Sequence, residues 1–178
     1  VNAFTVFGTD LVAGGNFLQA GGLSAPYIAG WDGASWRALG SGMNAPVSAF
    51  TEFGGALIAG GSFTTAGGVS ANRIAQWNGA SWSALGQGFD NTVLSLAVYR
   101  DTLYAAGRFA ASGSVLANRI AQWRGTSWAR MGTGVTNAVY ASIVYAGVLY
   151  IAGSFSRAGL TPEDYVAYWT GPTAGAAA

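Results

Sequence analysis

The feature that most constrains this chain is a repeat of fixed length. Trp31, Trp77, Trp123 and Trp169 are spaced by 46 residues, and so are Trp36, Trp82 and Trp128. These are all seven tryptophans of a 178-residue chain. Phe17, Phe63, Phe109 and Phe155 keep the step, as do Val1, Val47, Val93 and Val139, and Gly15, Gly61, Gly107 and Gly153. Residues 1–46 and 47–92 agree at 27 of 46 positions, too many for chance. Such a period marks one supersecondary unit, stacked because it cannot bury its apolar surface alone.

Each period holds four short β-like runs. In residues 47–92 they are VSAFTEF (47–53), LIAGGSF (57–63), RIAQWNG (73–79) and SWSALG (81–86). The segments GGA, TTAGGVSA and NGA between them carry Gly-Gly and Asn-Gly turn signals. No stretch has helical spacing with caps. The pattern predicts an all-β chain of four-stranded antiparallel sheets. Radial repetition of such sheets, at roughly 40–50 residues each, is a β-propeller. The expected blades are residues 1–46, 47–92, 93–138 and 139–171, with 172–178 as a tail or linker. The fourth blade lacks a SWSALG-like phrase and is expected to miss its outer strand. Val1 already begins a first strand, so the N-terminus cannot supply the missing one. An open edge beside Trp169 would then invite pairing, which predicts a chain that does not stand alone. The opening Val1 and the lack of a signal-peptide pattern suggest a mature product or a piece of something longer.

Alternation along LIAGGSF places Leu57, Ala59, Gly61 and Phe63 on one face and Ile58, Gly60 and Ser62 on the other. Both faces are apolar or tiny, so both need covering, which predicts a neighbouring sheet on each side. The two tryptophans of QWNGASW flank a tight turn, one ending the third strand and one opening the fourth. They are expected to be mostly buried and to fill the widening wedge between blades. The rival reading is a row of sugar-stacking platforms. Equal spacing favours packing, since packing needs every copy. The glycines at 15, 61, 107 and 153 are expected where backbones or large side chains come close.

These residues resemble the Kelch type of propeller. That pattern has a double glycine ending the second strand, an aromatic in the third and a Trp opening the fourth. Gly14-Gly15 and Gly60-Gly61 match the double glycine, with Ala106 and Ala152 replacing its first member in the later repeats. Trp31, Trp77, Trp123 and Trp169 match the aromatic, and Trp36, Trp82 and Trp128 the final Trp. The phrase AGGSFTTAGG…IAQWNGASWSALG is similar to repeats of large bacterial surface proteins and of fungal extracellular polarity proteins. The resemblance covers residues 1 to about 171. It implies a fold and is silent on activity, because propellers host unrelated functions.

The chain has no Cys and no His, which removes disulfides, thiolate chemistry, the commonest metal ligand and the commonest general base. Copper chemistry of the Kelch-oxidase kind and a nucleophile–His–acid triad both need residues that are missing. No cofactor or metal is expected. The acids are Asp10, Asp32, Glu52, Asp90, Asp101, Glu163 and Asp164, most of them in turns. Only Glu163 and Asp164 adjoin, in LTPEDY, as a solvated loop or a cation or partner contact. Arg73 and Arg119 open the third strands of their repeats after Asn72 and Asn118, and Tyr27 and Tyr165 stand at the same place in the other two. This is a rim position with interface-forming residue types, or plain edge decoration. The loops 18–25, 64–71, 110–117 and 156–163 are the longest and are the default place for a ligand.

Charged residues are 8% of the chain against roughly 25% in an ordinary domain, and the net charge is +1. Nothing in that balance suits nucleic acid. No apolar run reaches the roughly 20 residues of a membrane helix, so membrane insertion is not expected. The leading expectation is a non-enzymatic binding or structural propeller module of a surface or envelope protein. Its partners would be other protein chains, further blades of the same protein, or glycans. A lectin-like propeller is the alternative, and a hydrolase on a propeller scaffold is a third reading. A Gly-rich, Cys-free, charge-poor composition suits an extracellular or cell-envelope location.

Overall fold

The structure, a computed structural model, describes residues 1–169. It is all-β, and each period builds one antiparallel sheet with its strands in chain order. Sheet 1 is Ala3–Phe7, Asp10–Gly14, Ile28–Trp31 and Trp36–Ala38. Sheet 2 is Val47–Phe53, Ala56–Gly61, Ile74–Trp77 and Trp82–Ala84. Sheet 3 is Val93–Tyr99, Thr102–Gly107, Ile120–Trp123 and Trp128–Arg130. Among the described residues sheet 4 has Val139–Tyr145, Val148–Gly153 and Val166–Trp169. The expectations of a missing outer strand and of a tail at 172–178 fall on residues outside the described ones. The chain divides into two compact units, Val1–Gly88 with sheets 1 and 2, and Phe89–Ala178 with sheets 3 and 4.

The segments read as long loops are more ordered than expected. Each carries a two-stranded hairpin: Gln19–Ala20 with Leu23–Ser24, Thr65–Ala66 with Val69–Ser70, Ala111–Ser112 with Val115–Leu116, and Arg157–Ala158 with Thr161–Pro162. Gly67 and Gly68, at φ 57° and 84°, form the type I′ turn that matches strand twist. This hairpin lies on Trp82: a Cβ on Gly67 would stand 2.8 Å from the Trp82 Cδ1.

In the first two repeats the turn between third and fourth strands is closed by an Asx cap; in the third, Arg124 stands at the capping position. Asp32 Oδ1 accepts the Ala34 and Ser35 N–H groups at 2.8 Å, and Asn78 Oδ1 accepts those of Ala80 and Ser81 at 2.9 and 2.8 Å. The Ser35 amide, then the Ala34 amide and the Ser35 hydroxyl, hold the Asp32 carboxyl below the usual carboxylate range. The turn brings the two tryptophans of each of the first three repeats directly opposite one another. Ring centroids are 5.4 Å apart for Trp31–Trp36, 5.3 Å for Trp77–Trp82 and 5.1 Å for Trp123–Trp128.

In the first unit, the face of sheet 1 carrying Val12, Gly14 and Ile28 packs on the face of sheet 2 carrying Phe50, Leu57, Trp77 and Trp82. A Cβ on Gly14 would meet the Phe50 ring at 2.6 Å, so only glycine lets that ring seat. Trp82 Nε1 donates to the Leu39 carbonyl at 2.9 Å across this contact. The second unit repeats the arrangement. Ala97 and Tyr99 of sheet 3 pack on Leu149, Ile151 and Trp169 of sheet 4. Ser95 and Ser142 hydroxyls meet there at 2.7 Å, and Ser95 Oγ also accepts the Ser142 N–H at 2.8 Å. On the second strand of sheet 2, Leu57 and the adjacent Ile58 are both 0% exposed, so both faces of that strand are buried.

The tryptophans meet the expectation of burial, though unevenly. Trp77, Trp82, Trp128 and Trp169 are buried, but Trp31, Trp36 and Trp123 are only partly so. Trp31 and Trp36 share the outward face of sheet 1 with Leu11, Phe4 and Val6, and that face has no sheet over it within the first unit. The glycines meet theirs. A Cβ on Gly61, Gly107 or Gly153 would collide with the carbonyl oxygen of Pro46, Thr92 or Ala138, and one on Gly15 would stand 2.7 Å from Val1 Cα. That carbonyl accepts the N–H of the next residue, Ser62, Arg108 or Ser154, at 2.9–3.0 Å. In the last three repeats the first strand shifts register here, with a bulge after Val47, Val93 and Val139.

Three outcomes follow. Trp77→Ala should cost about 3–5 kcal/mol in chemical denaturation, whereas Trp31→Ala should cost roughly 1–2 kcal/mol because its face is uncovered. Gly61→Val should destabilise clearly, having nowhere to place its Cβ. The depressed Asp32 acid contributes stability above the unfolded carboxyl range and loses it as pH falls through its lower folded value. A carboxyl-carbon NMR titration should place Asp32 below an ordinary aspartate, and Ser35→Pro, which removes the largest cause, should return it upward.

Candidate functional site

Tyr27, Arg73, Arg119 and Tyr165 occupy one repeat position, at φ 65°, 67°, 74° and 71°. They do not open the third strand as expected but stand one residue before it, in the left-handed region. Their main chains are tied on both sides. Each N–H donates to a Phe carbonyl (Phe17, Phe63, Phe109 or Phe155) at 2.7–3.1 Å. Each carbonyl accepts from Gly15, Gly61, Gly107 or Gly153 at 2.8–3.0 Å. A side chain at such φ costs about 1 kcal/mol. The chain spends 28 glycines elsewhere and none at these four sites, so the side chain is kept against a backbone cost.

The neighbouring asparagines are structural tethers. Asn72 Nδ2 donates to the Gln87 carbonyl at 3.3 Å, and Asn118 Nδ2 to the Thr133 carbonyl at 2.8 Å. The Val135 N–H donates to the Asn118 carbonyl at 3.0 Å, fixing the connector to the next repeat. Arg73 Nη1 reaches the Phe63 carbonyl at 3.3 Å. Glu163 and Asp164 lie on the loop before Tyr165, which is 64% exposed, with their main chains bonded locally to Ser156 and Val166. No group of three His, Cys, Asp or Glu side chains placed to hold a metal occurs among the described residues.

Of the residues singled out from sequence, Arg119 is the one drawn into a polar depression. A cavity of about 290 Å³ in the second unit is lined by Arg108, Arg119, Asn137, Ala138, Tyr140 and Ser154. Asn72, Arg73, Tyr27, Asn118, Glu163, Asp164 and Tyr165 do not line it. Sequence reasoning missed Arg108, Asn137, Tyr140 and Ser154. A signal existed: Arg108 stands where the other copies have Asn16, Ser62 and Ser154, and Tyr140 where they have Asn2, Ser48 and Leu94. Departures from a repeat are where one copy does something its siblings do not.

Fold and site together define an all-β repeat protein built from four-stranded antiparallel sheets. No protein-family model matches the chain, and no curated protein matches it. The solved structures similar in fold include two computationally designed proteins. The computationally designed Ika4 protein superposes with a TM-score of 0.57 at 14% identity, covering 94% of this chain and 89% of that one. The computationally designed Ika8 protein gives 0.54 at 12% identity, covering 98% of this chain and 59% of that one. At such identities the likeness concerns the fold alone.

The strained position yields a direct check. Arg73→Gly should raise stability by about 0.5–1 kcal/mol, because it relieves the left-handed backbone and gives up only one long hydrogen bond. A thermal or chemical melt measures it, and a loss of stability would show that the arginine side chain holds the fold.

Proposed function

We propose that the chain is a non-enzymatic structural and binding module, a Kelch-like β-propeller segment that docks onto further sheets of its own type. The observation that carries this reading is a pair of uncovered apolar faces. On sheet 1, Phe4 is 59% and Val6 64% exposed, beside Leu11 and the Trp31–Trp36 pair. On sheet 4, Ile143 is 65% and Tyr145 70% exposed, beside Val166 and the tilted ring pair Tyr150–Tyr168.

These faces are the counterparts of the two that meet inside each unit. Phe4 and Leu11 correspond by the repeat to Phe50 and Leu57, which are covered by sheet 1. Ile143 and Tyr145 correspond to Ala97 and Tyr99, which are covered by sheet 4. A like sheet is therefore the surface each face is shaped to receive. The occupant in this reading is a second copy of the chain, in a head-to-tail contact. Exposed apolar faces of this kind mark interaction sites. The low charge and absent Cys suit an extracellular or envelope setting.

The test is mass in solution over a concentration series. Wild-type chain should associate, with little salt dependence, and Val6→Lys or Ile143→Lys should weaken association roughly tenfold or more. Both side chains are exposed, so each variant should keep its circular dichroism. A wild-type chain that stays monomeric throughout, or lysine variants that associate unchanged, would overturn the reading.

A further inference from the structure

The depression between the third and fourth repeats has an unusual hydrogen-bond inventory. Arg119 spends one donor, Nη1, on the Arg108 carbonyl at 3.1 Å, and its other N–H groups remain. The Arg108 guanidinium has no side-chain hydrogen bond or ion pair among the described residues, where the one salt bridge is Arg37–Asp10. Asn137 Oδ1 already accepts the Ala138 N–H at 2.9 Å, so its amide presents N–H groups outward. Tyr140 Oη donates to Ser154 Oγ at 3.1 Å, which leaves the Ser154 proton free to donate. No acidic side chain lines the cavity.

The guanidinium groups and the Asn137 amide nitrogen can only donate, two of these groups carry fixed positive charge, and the Tyr140 and Ser154 hydroxyls can donate or accept. A donor-rich site with two cations is matched by an acceptor-rich anion. A carboxylate fits the guanidinium fork, and charge-assisted hydrogen bonds are the stronger kind. The half-exposed ring of Tyr140 offers an apolar face beside the cations, as a pyranose ring would use. We infer that this cavity is a binding site for an acidic sugar, a hexuronate unit held by its carboxylate on Arg108 and Arg119 and by its hydroxyls on Ser154 and Asn137.

The first unit provides an internal contrast. Two periods earlier the same positions are Asn16, Tyr27, Ala45, Ser48 and Ser62, with no cation among them. The site belongs to one repeat junction and is not one of a series. It needs neither the propeller reading nor the docking of end faces.

The experiment is an amide NMR titration of the full chain with sodium glucuronate, with glucose, sodium acetate and a glutamate-rich peptide as parallel probes. Glucuronate should give saturable shifts around residues 108, 119, 137–140 and 154, weakening as salt rises. Arg108→Gln and Arg119→Gln should each reduce its affinity roughly ten- to hundredfold, with unchanged melting. Equal affinity for glucose or acetate would overturn the site, as would tighter binding of the peptide or glucuronate binding that survives both substitutions. A melting change in a glutamine variant would shift the test to Asn137→Ala, which should still lower glucuronate affinity several-fold.

Discussion

A sheet that is apolar on both faces must be covered twice. In sheet 2, adjacent Leu57 and Ile58 point to opposite sides and both are fully buried. A solvated face would expose half of that surface to water at about 25 cal/mol per Å². The repeat is the answer to this requirement, since each sheet offers its neighbour the face that neighbour needs. Large and small residues alternate across the contact: the Phe50 ring lies where Gly14 has no Cβ, and the Trp82 edge lies by Gly40. Gly14, Gly21, Gly40 and Gly67 make room for aromatic rings, while many of the other glycines take left-handed turns.

The same constraint reaches down to the backbone. Gly61, Gly107 and Gly153 lie against the carbonyl of the residue just before their own repeat, at a distance that no side chain tolerates. They also donate to the residue before the third strand. One glycine thus joins the first, second and third strands of a sheet at one point. The left-handed residue beyond it is forced by that junction, because its N–H and carbonyl must both face the second strand's extension. Strain at Tyr27, Arg73, Arg119 and Tyr165 is the local consequence of closing the sheet there.

Much of this was legible in the sequence. The 46-residue step of Trp, Phe, Val and Gly gave the sheets and their boundaries, and alternation in LIAGGSF gave the double burial. Turn chemistry gave the opposed tryptophans, since Asp32 and Asn78 cap the turns between them. The small hairpins were hidden because two-residue strands have no periodicity, although Gly-Gly announced their turns. The partial exposure of Trp31 and Trp36 was hidden for another reason. Equal spacing encodes equal environment only when every copy has a neighbour on both sides, and the first sheet's outward face has none within its unit. The left-handed position was invisible because the residues that occupy it, Tyr and Arg, give no backbone signal of the kind Gly or Asn would.

The polar depression was illegible for a deeper reason. Arg108, Arg119, Asn137, Tyr140 and Ser154 come from two repeats and from the connector between them, and no local motif joins them. Repetition itself obscures such sites, since attention goes to positions that recur, while recurring positions are the ones the packing has already claimed. Trp77 and Gly61 are fixed by what they touch and have no freedom to bind anything else. The positions that differ between copies, such as 16, 62, 108 and 154, sit just past the glycine junction, where the main chain is held by hydrogen bonds that ask nothing of the side chain. Rigidity there comes from the backbone, and identity is free to vary. A scaffold of this kind places chemistry at its junctions without disturbing its core, and the pair of arginines at the third junction occupies such a place.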